Sequence, residues 1–169
     1  MRTIYLISVY IHLLAMMVWL GGMAFMAMIV IPVTRKKMFR SMSAGLIRTT
    51  GERFRPVAWV CLSLLLVSGI FMLGSRGFSW ADLWTGRLFQ GTFGLIFAHK
   101  LVFFGVILFI SGIHDFYLGP KAARLLSGSA DQPVTGRFRK LSSWAGRINM
   151  LLGLIVVMLG VMLVRGTFG

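Results

Sequence analysis

Only four side chains in this chain of 169 residues are acidic: Glu52, Asp82, Asp115 and Asp131. Chemistry that needs paired carboxylates is thereby nearly excluded. Cys61 is the single cysteine, so no disulfide can close within the chain, and no cysteine pair is available to a metal. Charged residues amount to 13%, about half the share of a soluble domain, against 57% hydrophobic residues and a mean hydropathy of +0.84. Most of the surface must therefore face lipid. The sequence has no phosphate-binding loop, dinucleotide fingerprint or Ser-His-Asp set, and no His-X-His chelate. No internal repeat or low-complexity tract divides it. Its length suits one compact bundle, a single transmembrane domain over 1–169.

What the chain has in abundance is long apolar runs. They extend roughly over Ile4 to Val33, Val57 to Gly74, Phe93 to Tyr117 and Ile148 to Val164. A bilayer core of about 30 Å takes about 20 largely apolar residues, so four transmembrane helices are expected. The first run is too long for the apolar part of a signal peptide, and Arg2 alone is a poor basic leader. It is read as a retained span, with Pro32 marking its end.

The basic residues are unevenly placed. Arg35, Lys36, Lys37, Arg40, Arg48, Arg53 and Arg55 fall in the first connection, and Lys121, Arg124, Arg137, Arg139, Lys140 and Arg147 in the third. The second connection holds only Arg76 and Arg87, and the termini only Arg2 and Arg165. By the positive-inside rule the first and third connections are cytoplasmic. The expected fold class is all-α, an integral membrane four-helix bundle with both termini outside and basic cytoplasmic loops. Its expected place is a bacterial-type inner membrane, crossed several times. The net charge of +14 is assigned to topology and to contact with anionic lipid headgroups, not to nucleic acid.

The second connection also carries Phe78, Trp80, Leu83, Trp84, Leu88 and Phe89 among polar residues and glycines. A short interfacial helix over about 78–90, anchored by aromatics at headgroup level, accounts for this pattern. Gly105 and Gly112, and Gly153 and Gly160, recur at heptad spacing and are assigned to close helix packing.

Four ionisable residues lie within the apolar runs: His12, His99, Lys100 and His114. Ionisable side chains in a membrane are functional candidates by default. His12 and His99 sit roughly 9 to 12 Å below the outer boundary of two parallel helices, at about 1.5 Å per residue. Two level imidazoles are what axial ligation of a haem requires. His99 and His114 share a stripe with Phe103 and Ile110, about 22 Å apart along the helix, and Lys100 is rotated by about 100° from His99. Three other accounts stay open. A membrane histidine is often only a hydrogen-bonding bridge, an even prospect for His114 beside Asp115. Copper is the rival metal, because Met16, Met17, Met23, Met26 and Met28, with Met150, Met158 and Met162, supply the soft sulfur that suits Cu(I). Methionine is also ordinary apolar filler.

The stretch "YIHLLAMMVWLGGMAFMAMIVIPV" resembles the first helix of the CopD-like (copper resistance D) domain, through His12, Trp19, Leu20, Gly21, Gly22 and Pro32. "RFRPVAWVCLSLLLVSGIFML" is similar to its second helix, with Arg53, Phe54 and Gly69, and "FAHKLVFFGVILFISGIHDFYLGP" to its third, with Lys100 and Pro120. The pattern also resembles the HemJ-type protoporphyrinogen oxidases, which bind haem b and pair a first-helix histidine with a later lysine. The matching positions are His12 and Lys100. Together these features lead to an expected haem b protein engaged in electron transfer or oxidation of a lipophilic donor. Its iron would be ligated by His12 and His99, with Trp19 and Phe103 walling the ring and Lys100 meeting a propionate. His114 is a further candidate metal ligand. The alternatives are a copper-handling permease component, and an accessory subunit with no cofactor. Expected partners are membrane lipids, a redox partner or larger membrane complex, and further copies of the chain.

Overall fold

The computed structural model describes residues 2–39, 41–119, 121 and 133–165, with the backbone alone for residue 44 and residues 133–139. Arg40, Pro120, Arg124 and Asp131 lie outside the described residues, as do the side chains of Arg137 and Arg139. Helix α1 covers Arg2–Phe25 and runs on through a π-turn at Met26–Val30 into a last turn at Ile31–Thr34. Helix α2 is Ser43–Ser75, α3 the short Trp80–Trp84, α4 Gly91–Ile113 with a π-turn at His114–Leu118, and α5 Pro133–Arg165. There is no strand among the described residues. Four segments are long and apolar enough to cross a membrane: Arg2–Thr34, Gly45–Ser75, Gly91–Leu118 and Lys140–Arg165. The chain is an all-α, four-span membrane bundle.

Two helices outrun the apolar segments that announce them. Helix α2 begins at Ser43 and α5 at Pro133, well before Val57 and Ile148. Hydropathy marks only the part of a helix that lipid covers, whereas arginine, lysine and glutamate propagate a helix readily in water. Arg48 and Glu52 add a 2.8 Å ion pair one turn apart on this exposed part of α2. Pro32 does not end α1 at once. The turn before it widens, the Ile31 N–H reaching back five residues to the Met26 carbonyl, and the helix continues to Thr34. A wider turn relieves the clash of a proline ring with the preceding carbonyls.

Side-chain contacts fix an alternating, antiparallel register. Ser8 near the start of α1 meets Ser68 near the end of α2, and Gly22 meets Phe54. Ser111 late in α4 meets Asn149 in α5, and Trp59 meets Asp115. Packing is most extensive between α1 and α2 and between α4 and α5, and α1 also touches α5. The shared core is Ala15, Trp19, Ala58, Cys61, Leu62 and Ile107, with Phe54, Phe104, Leu152 and Val156 packed against it. Outside this core the spans are lined with exposed apolar side chains such as Ile7, Met28, Val67, Phe109 and Met158. In water that surface would aggregate; in lipid it is the solvated surface, and the helices associate by close packing and interhelical hydrogen bonds.

Glycine supplies the close packing at particular points. A Cβ on Gly22 would overlap the Phe54 ring, and one on Gly153 would lie 2.9 Å from Trp19 Cζ3. Gly105 and Gly112 meet nothing within 4 Å, so the heptad of glycines packs helices on α5 but not on α4.

The second connection forms the expected short helix. Ser79 and Asp82 cap α3 reciprocally, Asp82 Oδ2 accepting the Ser79 N–H at 2.7 Å and the Ser79 hydroxyl at 2.8 Å. Those two bonds, the backbone one first, hold the Asp82 carboxyl below its ordinary range. Trp80 and Trp84 are exposed, whereas Leu88 is buried. Gly94 opens α4 against the Phe89 backbone, where no Cβ would fit.

Candidate functional site

Two polar clusters interrupt the apolar interior, one toward each end of the bundle. In the first, His12 Nδ1 lies 2.8 Å from Ser68 Oγ. A serine hydroxyl has one proton, and that of Ser68 goes back to the Leu64 carbonyl of its own helix. His12 must then donate from Nδ1, which leaves the lone pair on Nε2. Ser8 Oγ donates to the Ser68 carbonyl at 3.3 Å and ties the same levels of α1 and α2. Gly69 would place a Cβ only 3.8 Å from His12 Cε1, so small residues surround the imidazole on that side. Lys100 reaches in from α4. Its Nζ lies 3.4 Å from where a Cβ on Gly160 would stand, and its charge acts on His12. All four spans thus contribute to one level of the bundle. An apolar crevice of about 240 Å³ between α1 and α2 opens beside Ser8 and Ser68 and is lined by Ile4, Ile7, Val67 and Phe71 among others.

His99 is not part of this cluster. It is exposed, and Nδ1 bonds the Leu95 carbonyl of its own helix at 2.8 Å. Depth along a helix does not fix direction around it. Neighbouring residues on a helix point about 100° apart, so His99 and Lys100 cannot both face inward, and Lys100 takes the inward place. Trp19 is 5% exposed and packs onto Gly153, filling the space between α1 and α5 rather than walling a gap. Phe103 is half-buried on α4. His12 and His99 are therefore not brought together: one lies in the interior and the other faces outward. Of the methionines, Met17, Met28 and Met158 are exposed, while Met16, Met23, Met26, Met150 and Met162 are partly buried. Met16 stands one turn beyond His12 on the same face.

The second cluster was not foreseen. His114 Nδ1 lies 2.8 Å from Asp115 Oδ1, His114 Nε2 lies 2.8 Å from Ser142 Oγ, and Trp59 Nε1 donates to Asp115 Oδ2 at 2.9 Å. A Ser-His-Asp relay thus exists here, where the sequence had shown none. Both ring nitrogens of His114 are engaged by protein groups. No group of three or more His, Cys, Asp or Glu side chains suited to a metal occurs among the described residues. The relay is invisible in sequence because Ser142 joins it across a connection from another helix. The one available signal was the adjacent His-Asp pair at a helix end. Ser8, Ser68, Ser111 and Asn149 were likewise missed, although polar residues within apolar spans mark interhelical bonds. Deeper in, Asn149 Nδ2 donates to Ser111 Oγ at 2.8 Å.

Fold and site together define a four-span helical membrane protein with an imidazole and an ammonium converging at one level of its interior. The chain belongs to the CopD family: the sequence model described as Copper resistance protein D matches residues 48–163. It is accordingly a multi-pass inner-membrane protein related to copper resistance. That match contains Lys100, His99 and His114 but stops short of α1, which carries His12. The chain is also similar to an uncharacterized protein of Aquifex aeolicus (strain VF5), 28% identical over 153 residues that make up 90% of each chain. No solved structure matches it.

Proposed function

We propose that this protein handles copper within the membrane and that His12 is the residue through which it does so. The observation that carries this reading is the His12–Ser68 bond. It favours the Nδ1–H tautomer and so leaves the Nε2 lone pair unprotonated, as the outer partner of a metal-binding histidine does. Met16, one turn further, offers a thioether, and imidazole with thioether suits Cu(I). Copper is the cargo of the protein in this reading. Membership of a copper-resistance family supports the same reading. The proposed orientation puts this cluster toward the outer face, with the basic connections in the cytoplasm.

A second reading is favoured by the convergence of His12 and Lys100. One imidazole beside an ammonium suits an anionic metal group, such as a haem b whose propionate meets Lys100. One purified preparation decides between them. Elemental analysis after Cu(I) loading is expected to give stoichiometric copper that is lost in His12→Ala. A colourless protein is expected in the optical spectrum. A Soret band removed by His12→Ala would replace the copper reading with the haem one. Neither copper nor a Soret band would leave a bundle that serves only as an accessory subunit.

A further inference from the structure

The cluster at the other end of the bundle has a property that a plain interhelical tie lacks. Trp59 Nε1–H can only donate, so Asp115 Oδ2 accepts from it. Asp115 Oδ1 faces His114 Nδ1, and a carboxylate accepting two N–H groups is the ionised form. The proton on the imidazole is thereby held at Nδ1. What remains variable is the contact between His114 Nε2 and Ser142 Oγ. With a neutral ring, Ser142 donates its hydroxyl proton to Nε2. With a protonated ring, Nε2–H donates to Ser142 Oγ, and the hydroxyl proton turns outward. The His114–Asp115 and His114–Ser142 contacts persist in both states, and only the Ser142 hydroxyl proton has to turn. A proton gained at one side of the serine is thus matched by one presented at the other.

The surroundings suit this role. The polar groups in contact with the His114 ring are Asp115 on its own segment and Ser142 on α5, and Trp59 on α2 holds the far oxygen of Asp115. The Arg55 guanidinium reaches the same turn, with Nη2 lying 3.3 Å from where a Cβ on Gly119 would stand, and its buried Nε has no hydrogen-bond partner. The His114 side chain is 36% exposed and Asp115 14%, so the ring is open to exchange while its carboxylate is sheltered. The π-turn that begins at His114, closed by the Gly119 N–H on the His114 carbonyl, is a departure from α-helix of the kind found at functional positions.

We propose that Ser142, His114 and Asp115 form a proton-exchange site at the end of the bundle opposite His12 and Lys100, a role separate from any copper or cofactor binding. The same three residue types in the same order serve nucleophilic catalysis elsewhere, but Ser142 lies inside the long helix α5, whose N–H groups are spent on the helix itself. No donors are left to stabilise an oxyanion, so the serine passes protons and does not attack carbonyl groups.

The test is nitrogen-15 NMR of histidine-labelled full-length protein in lipid nanodiscs, with His114 assigned by its loss in His114→Gln. The neutral His114 ring is expected as the Nδ1–H tautomer, with an unprotonated Nε2 whose resonance carries the shift of a hydrogen-bond acceptor. In Asp115→Asn the fixed tautomer is lost, while Ser142→Ala keeps the tautomer and shifts the Nε2 resonance. Unchanged His12 and His99 signals confirm that these variants are folded. A neutral ring that carries its proton at Nε2, or an Nε2 resonance that Ser142→Ala leaves unmoved, overturns the proposal. So does covalent labelling of Ser142 by a fluorophosphonate.

Discussion

Adding a single methyl group at Gly153 tests the packing of the bundle at its centre. The new Cβ of Gly153→Ala would stand 2.9 Å from Trp19 Cζ3, 3.3 Å from Trp19 Cη2 and 3.2 Å from Leu20 Cδ1. Trp19 is only 5% exposed, so the indole has no free space to retreat into, and α1 and α5 must separate by several tenths of an ångström. Overpacking of this sort costs about 1–3 kcal/mol. Replacing glycine by alanine in a helix also gains up to about 1 kcal/mol in propensity, which partly hides the loss. Gly105→Ala is the control, because its Cβ would meet nothing within 4 Å and it carries the same propensity gain. The two variants are therefore expected to differ by about 1–3 kcal/mol in reversible unfolding in mixed micelles, followed by circular dichroism. Trp19→Phe removes the ring atoms that collide and should recover much of the loss when combined with Gly153→Ala. Equal stability of the two alanine variants, within about 0.5 kcal/mol, would show that Trp19 and Gly153 do not pack together in the folded protein.

Lys100→Met takes a like charge away from a cation bound at His12. Copper retention is expected to rise about tenfold, a change of about 1.4 kcal/mol within the range for charges a few ångströms apart. A fall would show that Lys100 holds an anionic group, as the haem reading requires. The Asp82 cap of α3 predicts an acid limit for this short helix. Its folded carboxyl is held low by Ser79, so its stabilisation is complete above the unfolded value of about 3.9 and is lost as pH falls through the lower folded value. Hydrogen exchange in Trp80–Trp84, corrected for intrinsic rate, should show protection at about pH 6 that disappears in strong acid, and Asp82→Asn should lack it at both. For orientation, Lys36→Cys and Arg87→Cys in a Cys61→Ala background are probed with an impermeant maleimide. Arg87→Cys should label from outside the cell and Lys36→Cys only in inverted vesicles, and the opposite pattern would reverse the assigned topology.

The spans were legible because lipid imposes a single rule, about 20 apolar residues per crossing, and each segment obeys it. Helix ends were less so, since Arg48, Glu52 and Arg53 continue α2 in water where hydropathy gives no signal. The site was half legible. His12 and Lys100 could be picked out as costly residues in an apolar run, and both lie in the interior. His99 could be picked out by the same rule, yet it faces away from the bundle, because cost marks a residue without giving its direction around the helix. The relay of His114, Asp115, Ser142 and Trp59 was illegible for a different reason. It is assembled from three helices, and its members sit next to one another only after the spans have paired.

Whether such polar clusters are glue or chemistry can be decided by magnitude. Interhelical hydrogen bonds in membranes contribute about 0.6 kcal/mol on average and rarely more than about 1.7, because helices separated in lipid find other partners. Ser68→Ala removes the acceptor for His12 Nδ1 and leaves the Leu62 and Trp19 packing of α1 against α2 in place. As glue, Ser68 would be worth that small sum and nothing else. As the residue that sets the His12 tautomer, its loss frees the ring to place its proton on Nε2 and takes away the lone pair a metal needs. The expected result is a bundle that unfolds within about 1 kcal/mol of the parent but binds copper at least tenfold more weakly, with Ser68→Thr restoring both the hydroxyl and the binding. A Ser68→Ala protein that keeps full copper affinity would make the serine a helix tie and leave His12 without its assigned tautomer.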